Sequence, residues 1–258
     1  MRHALHAEWT KLRTVAGTGW VLACATGLTV VVGTIVALSI SYASLGAGQD
    51  ITRLSLTGIY LGQVIIAMLA VQVIAGEYGS GMIHVTLTAT PRRRTVLVAK
   101  AAITGALVLA AGSVAVLGSV LAGRLILPAN GFTATHGYAP LSLSHGATLR
   151  AAGGSVIYLA LVALLSLGIA TVVRDTAIAI GIVLGLLFVF PIIANLFTDP
   201  ALRRHLQQIG PMSAGLAIQD TTNLRALPIA PWAGLGVLAA WATGAMVAGG
   251  LFLRLRDA

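Results

Sequence analysis

Charge is what this sequence has least of. Asp, Glu, Lys and Arg make up 9% of its 258 residues, against about a quarter in a soluble domain. A soluble fold of this size could not hide so much apolar surface and still cover itself with polar groups. Lysine is nearly missing: Lys11 and Lys100 are the only two, and neither follows the glycine spacing of a phosphate-binding loop, so the chain has no such motif for hydrolysing ATP. There is no H-E-x-x-H and no G-x-S-x-G. No acid falls in the middle of a long apolar run, and a proton-driven carrier usually needs one there as a relay. One cysteine, Cys24, forms no intrachain disulfide and leaves the redox compartment open. The six histidines are scattered. His136 and His145 share a loop but have no cysteine or run of carboxylates beside them, so no metal site is expected.

What is present is apolar: 57% of residues, with a formal charge of +9 from 16 basic and 7 acidic side chains. In a soluble protein that balance would suggest nucleic acid. Here the basic residues flank apolar runs, so anionic headgroups are the expected partner and nucleic acid is not. The first charge-free run, Thr14 to Gln49, far exceeds a signal core of roughly 7–15 residues.

Cutting the chain at its charges predicts an all-α integral membrane protein with one transmembrane domain, 1–258. Its six spans are placed at about 17–40, 55–76, 101–124, 151–173, 176–197 and 231–253. Helix is the state that satisfies the backbone in lipid, and the runs lack the alternation of a barrel strand. With the N-terminus inside, ten basic residues lie on the cytoplasmic side and six outside, so both termini are expected in the cytoplasm.

Leu5, Trp9 and Leu12 recur at i, i+4 and i+7 among charges, which predicts an interfacial N-terminal helix. Leu202, Leu206 and Ile209 beside Arg203, Arg204, Gln207 and Gln208 predict a short amphipathic helix on the outer side between spans five and six. Within the spans Gln63, Gln72 and Asn195 are the polar residues beyond Ser and Thr, and are candidates for lining a pathway. Pro191 with Asn195 leaves a break in span five open. Gly58-x-x-x-Gly62 and Gly181-x-x-x-Gly185 would each permit close helix contact.

The loop after span two runs from Glu77-Tyr78-Gly79-Ser80-Gly81-Met82 through Pro91-Arg92-Arg93-Arg94 to Lys100. An acid closes the span, a small turn follows, then a short amphipathic stretch, a proline and three arginines. This element, with Glu77, Gly81, Ile83, Leu87, Pro91 and Arg94 in order, a lysine at the mouth of span three, and the opening Glu8-Trp9-Thr10-Lys11-Leu12-Arg13 together resemble the permease subunits of bacterial type-2 ATP-binding-cassette exporters. Met82 stands where that family often has a threonine.

The resemblance implies a multi-pass permease of the bacterial plasma membrane, without enzymatic activity of its own. It would form the translocation pathway as a dimer with a second permease subunit, identical or related. A separate ATP-binding subunit would carry ATP and Mg, and this chain no cofactor. The same resemblance makes Glu77, Tyr78, Gly81, Pro91, Arg92, Arg93 and Lys100 the residues expected to couple to that subunit. A secondary carrier or a membrane-embedded enzyme is the alternative.

Overall fold

The structure, a computed structural model, describes residues 2–14, 16–46, 48–89 and 93–255. Within these, the side chains of residues 2–4, 12–14, 16, 45, 84, 87 and 89 are left undescribed. All regular structure among the described residues is helical. In chain order the α-helices are α1 (Arg2–Thr14), α2 (Ala16–Ser39), α3 (Tyr42–Leu45), α4 (Ile51–Ser55), α5 (Ile59–Gly79), α6 (Met82–Ala89), α7 (Arg93–Ile126), α8 (Gly146–Val173), α9 (Thr176–Leu196), α10 (Pro200–Ile209), α11 (Pro211–Leu216) and α12 (Pro231–Leu255). Six of them, α2, α5, α7, α8, α9 and α12, are long and apolar enough to cross a membrane, as a multi-pass protein requires.

α8 sits at the centre, packed against α5, α7, α9 and α12. α2, α9 and α12 lie at the periphery and show apolar side chains outward. On α2, Leu28, Val31, Ile35 and Leu38 form an exposed stripe at three- and four-residue spacing. In water that stripe would be a fault; against acyl chains it is the expected surface.

Small residues bring the helices together. A Cβ on Gly58 would lie 1.8 Å from the carbonyl oxygen of Thr29, and one on Gly62 would lie 2.2 Å from its hydroxyl, so this glycine pair is where α2 crosses the start of α5. Gly181 and Gly185 have open space instead and make no such contact. α9 continues through Pro191 without interruption, so span five is not broken there. The helices also overrun the spans expected from charge. α7 begins at Arg93 and encloses Lys100 in its third turn, and α8 begins at Gly146 and encloses Arg150.

The segment between α9 and α12 is more than a surface helix. Asp199 caps α10 by accepting from the Ala201 amide at 2.8 Å, and none of α10 is buried. After Gly210 the chain turns into the bundle, and Met212, Ala214, Leu216, Ala217, Ile218 and Gln219 are all buried. This stretch climbs back along α8. Gly215 packs on the Tyr158 ring, Ile218 on Gly154, and Gln219 donates to the Ser155 hydroxyl at 3.2 Å. Tyr158 to Ser155 is one helical turn, and Arg150, whose guanidinium reaches the Asp220 carbonyl, lies more than a turn beyond. Irregular backbone at such depth is tolerable only when protein surrounds it.

A polar knot closes the segment at that end of the bundle. Asp50 caps α4 by accepting from the Thr52 and Arg53 amides, and its other contacts are to Thr221 and Thr222. Arg53 donates to Asp220 at 2.7 Å. Burial pushes the Asp220 carboxyl up from its ordinary value, although Arg53 beside it pulls the other way.

Candidate functional site

The opposite end of the bundle carries Lys11, Arg93, Arg94, Lys100 and Arg174, and the loop from α5 to α7 is built there. α5 ends in Glu77, Tyr78 and Gly79. The Ser80 hydroxyl donates back to the Gly76 carbonyl at 2.8 Å, and Gly81 takes φ +72°, a left-handed conformation that favours glycine. The reversed chain forms α6, which lies beside the end of α5 and the start of α7.

Beneath α6 lies a network of four charged side chains. The Lys100 ammonium, 1% exposed, donates to Glu8 Oε2 at 2.9 Å, to Glu77 Oε1 at 2.7 Å and to the Val73 carbonyl at 3.2 Å. Its three donors thus have three acceptors. Lys11 donates to the same Glu77 oxygen at 2.9 Å and to the Thr86 hydroxyl at 2.9 Å, and stands 3.7 Å from Glu8. Two carboxylates face two ammonium groups, so the network carries no net charge. Such balance makes its burial tolerable, since an unpaired charge there would cost several kcal/mol. Glu8 and Lys11, at i and i+3 of α1, share a face. The network therefore ties α1, α5, α6 and α7 at one point.

α6 is held on its inner side by buried Ile83 and by Thr86. Its outer side presents Met82 and Val85, 46% and 67% exposed, at i and i+3. Next to it, the Arg174 guanidinium lies over the Tyr78 ring, 5.1 Å from its centre. Arg174 itself sits in the left-handed turn joining α8 to α9, and Asp175 caps α9 through the Ile178 amide at 2.8 Å. Arg93 donates to the Leu253 carbonyl at 2.7 Å and Arg174 to that of Phe252 at 3.4 Å. Both carbonyls belong to the last turn of α12, so the two arginines bind the C-terminal end of that helix.

Of the residues expected to couple to a partner, Glu77 and Lys100 come together in the buried network, Tyr78 is half-buried against Arg174, and Gly81 forms the turn. Arg93 is engaged with α12. Pro91 and Arg92 lie outside the described residues. On α1, Leu5 is half-buried and Trp9 45% exposed, while the Leu12 side chain is among those undescribed. Glu8 was not singled out by sequence reasoning. Its signal was its rarity as an acid, three residues from one of the only two lysines.

The three polar span residues do not share a site. Gln63 is fully buried, accepting from the Tyr158 hydroxyl and lying 3.3 Å from Met212 Sδ, where it secures the inserted segment. Asn195 is exposed at the end of α9 and accepts from Arg203 at 3.0 Å. Gln72 is exposed on α5 and makes no hydrogen bond among the described residues. On the same face Leu61 is exposed, while Ile65 and Met68 between them are half-buried. His136 is occupied in the loop between α7 and α8, stacked on Tyr42 at 4.1 Å with Nδ1 on the Gly131 carbonyl.

No protein-family model matches this chain, and no curated protein matches it either.

Proposed function

We propose that this chain is the permease subunit of an ATP-driven exporter of the bacterial plasma membrane. It works with a separate ATP-binding subunit, which holds ATP and Mg, and with a second permease subunit, identical or related. In this reading the basic end faces the cytoplasm, α1 lies at the membrane interface on that side, and α10 lies at the outer surface.

The observation that carries the reading is α6. It is a short helix at the basic end, latched from below by Ile83 and Thr86, that offers an exposed apolar pair, Met82 and Val85, with Arg174 over the neighbouring Tyr78 ring. A rigidly held, exposed apolar knob suits a protein cleft better than water or headgroups. Glu77 and Lys100 then act by positioning α6, because both are buried. A push on α6 reaches α1, α5 and α7 together through the one network, which is how a rigid-body tilt of the spans can follow closure of the ATP-binding subunit. The exposed Gln72 and Leu61 on one face of α5 support a pathway face. An amide in an apolar span without a partner calls for water or a second chain beside it.

The test is reconstitution with the ATP-binding subunit in liposomes. Val85→Asp and Met82→Asp should leave folding intact and lower partner affinity roughly tenfold or more, with loss of the cargo-dependent part of ATP hydrolysis. Unchanged affinity and hydrolysis in both variants would remove α6 from coupling. Turnover by the isolated chain under an ion gradient would favour the secondary carrier instead.

A further inference from the structure

At the basic end an apolar groove of about 390 Å³ runs between α7, α8 and α12, away from both α6 and the Gln72 face. Leu97, Leu161, Leu164, Met246 and Gly250 line it, and Arg94 stands at its rim. Along α12 its lining extends from Ala242 to Leu251, about 13 Å at 1.5 Å per residue. Gly250 leaves room on that wall: a Cβ there would meet only Leu97, at 3.7 Å, an ordinary contact.

Among the described residues, no acid answers Arg94 at the rim. Arg93 is spent on the Leu253 carbonyl and Arg174 on that of Phe252. Arg94 is exposed and has neither acceptor nor ion-pair partner among the described residues. It lies in the first turn of α7, which contains no acid. A cation at that position opposes the helix dipole, and an anion there is favoured both by the guanidinium and by that dipole. Leu97 and Val98 follow Arg94 at i+3 and i+4, so the cation and the apolar wall share a face. Arg254, also exposed, adds positive charge at the same end of α12.

We propose that this groove holds one acyl chain of an anionic phospholipid from the leaflet at the basic end, with its phosphate on Arg94. A basic pocket between spans with an apolar floor below it matches a molecule that is anionic at one end and apolar over the rest. An uncharged or zwitterionic lipid can fill the floor but leaves Arg94 without a net counter-charge. The site is independent of the exporter reading and would exist in a carrier or an enzyme equally.

The experiment uses the full chain, purified in detergent and stripped of lipid, then titrated with phosphatidylglycerol, phosphatidylcholine or inorganic phosphate. Bound lipid is counted by native mass spectrometry. The wild type should retain one phosphatidylglycerol per chain in preference to phosphatidylcholine. Arg94→Gln, a change at an exposed position, should weaken that retention roughly tenfold or more, the worth of one charge-assisted phosphate contact. Gly250→Leu should weaken it as well by filling the groove, while Arg204→Ala at the other end should not. Equal retention of the two lipids would show ordinary annular lipid and overturn the proposal. So would competition by inorganic phosphate, which marks a soluble-anion site, or wild-type retention in Arg94→Gln. Loss in Arg94→Gln with full retention in Gly250→Leu would overturn the groove as the acyl site.

Discussion

Replacing Lys100 by Met tests the buried network directly. Methionine keeps the volume of the side chain and removes its charge. The Lys100 side chain is 1% exposed, and its partners Glu8 and Glu77 are 6% and 11% exposed. Without the ammonium, two buried carboxylates face Lys11 alone, which is a third exposed and so a weaker counter-charge. Removing one partner of a buried ion pair costs about 3–5 kcal/mol, because the charge left behind is uncompensated. Glu8→Gln is milder. It keeps the shape and an acceptor, and exchanges a charge-assisted hydrogen bond for a neutral one, at about 1 kcal/mol. In the double variant Glu8 is no longer a stranded charge, so the combined loss should fall short of the sum by about 1–3 kcal/mol. The assay is equilibrium unfolding in mixed micelles by a denaturing detergent, with proteolysis at Lys11 reporting release of α1. A Lys100→Met loss under about 0.5 kcal/mol, or additivity of the two changes within about that margin, would refute the network as a structural tie.

The remaining predictions concern the inserted segment, the Gln72 face and topology. Gly234→Val should destabilise by about 1–3 kcal/mol in the same assay, because even a Cβ there would come within 2.0 Å of the Ala214 backbone oxygen, which has nowhere to go. A stability within error of wild type would mean that the 211–219 stretch does not pack against α12. Asp220 gives a pH signature. Its carboxyl is raised in the folded state by burial, so its contribution is full below the unfolded value and is lost as pH rises through the folded one. The stability of wild type relative to Asp220→Asn should therefore grow as pH falls from neutral into the acid range, and a flat difference would refute the burial. Gln72→Leu should lower transport without lowering stability, as Gln72 bonds to nothing in the described structure; unchanged transport would take it out of the pathway. Single cysteines at Ser80 and Arg174 should be labelled from the cytoplasm and those at Gly137 and Gln208 from outside. Labelling of Gln208 from the cytoplasm would invert or break the six-span arrangement.

That six helices are long and apolar enough to cross a membrane was legible because lipid allows few charges, so long charge-free runs stand out. Where the helices end was less legible, for the same reason. Cutting at Lys100 started span three at 101, yet α7 begins at Arg93, because the charge of Lys100 is neutralised inside the protein by Glu8 and Glu77. Arg150 similarly lies within α8, bonded to the Asp220 carbonyl. The two glycine pairs look alike in sequence, but only Gly58 and Gly62 face a neighbour. Pro191 looked like a possible break, yet α9 carries it without interruption. The buried stretch after Gly210 escaped notice because it is too short to be a span. Its signal was there: from His205 to Gln219 the chain has no charged residue, in a loop read as surface.

The candidate site was half legible for a reason that the acids explain. Periodicity reports which residues share a face, but not which face meets which at a separation of 92 residues, as Glu8 and Lys100 do. Scarcity carries part of that information. The chain has seven acids, and the six within the described residues all have structural work. Glu8 and Glu77 hold Lys100, Asp50 and Asp220 close the knot at the other end, and Asp175 and Asp199 cap α9 and α10. A carboxylate beside a hydrocarbon layer costs free energy unless a cation or several amides answer it. In so apolar a chain, an acid is therefore a pointer to a partner. Two lysines and a few arginines at the same end are the short roster from which that partner must come. Glu77 was singled out at the end of its span, and the same reasoning applied to Glu8 leads to Lys11 and Lys100, the contact that joins the N-terminal helix to the loop.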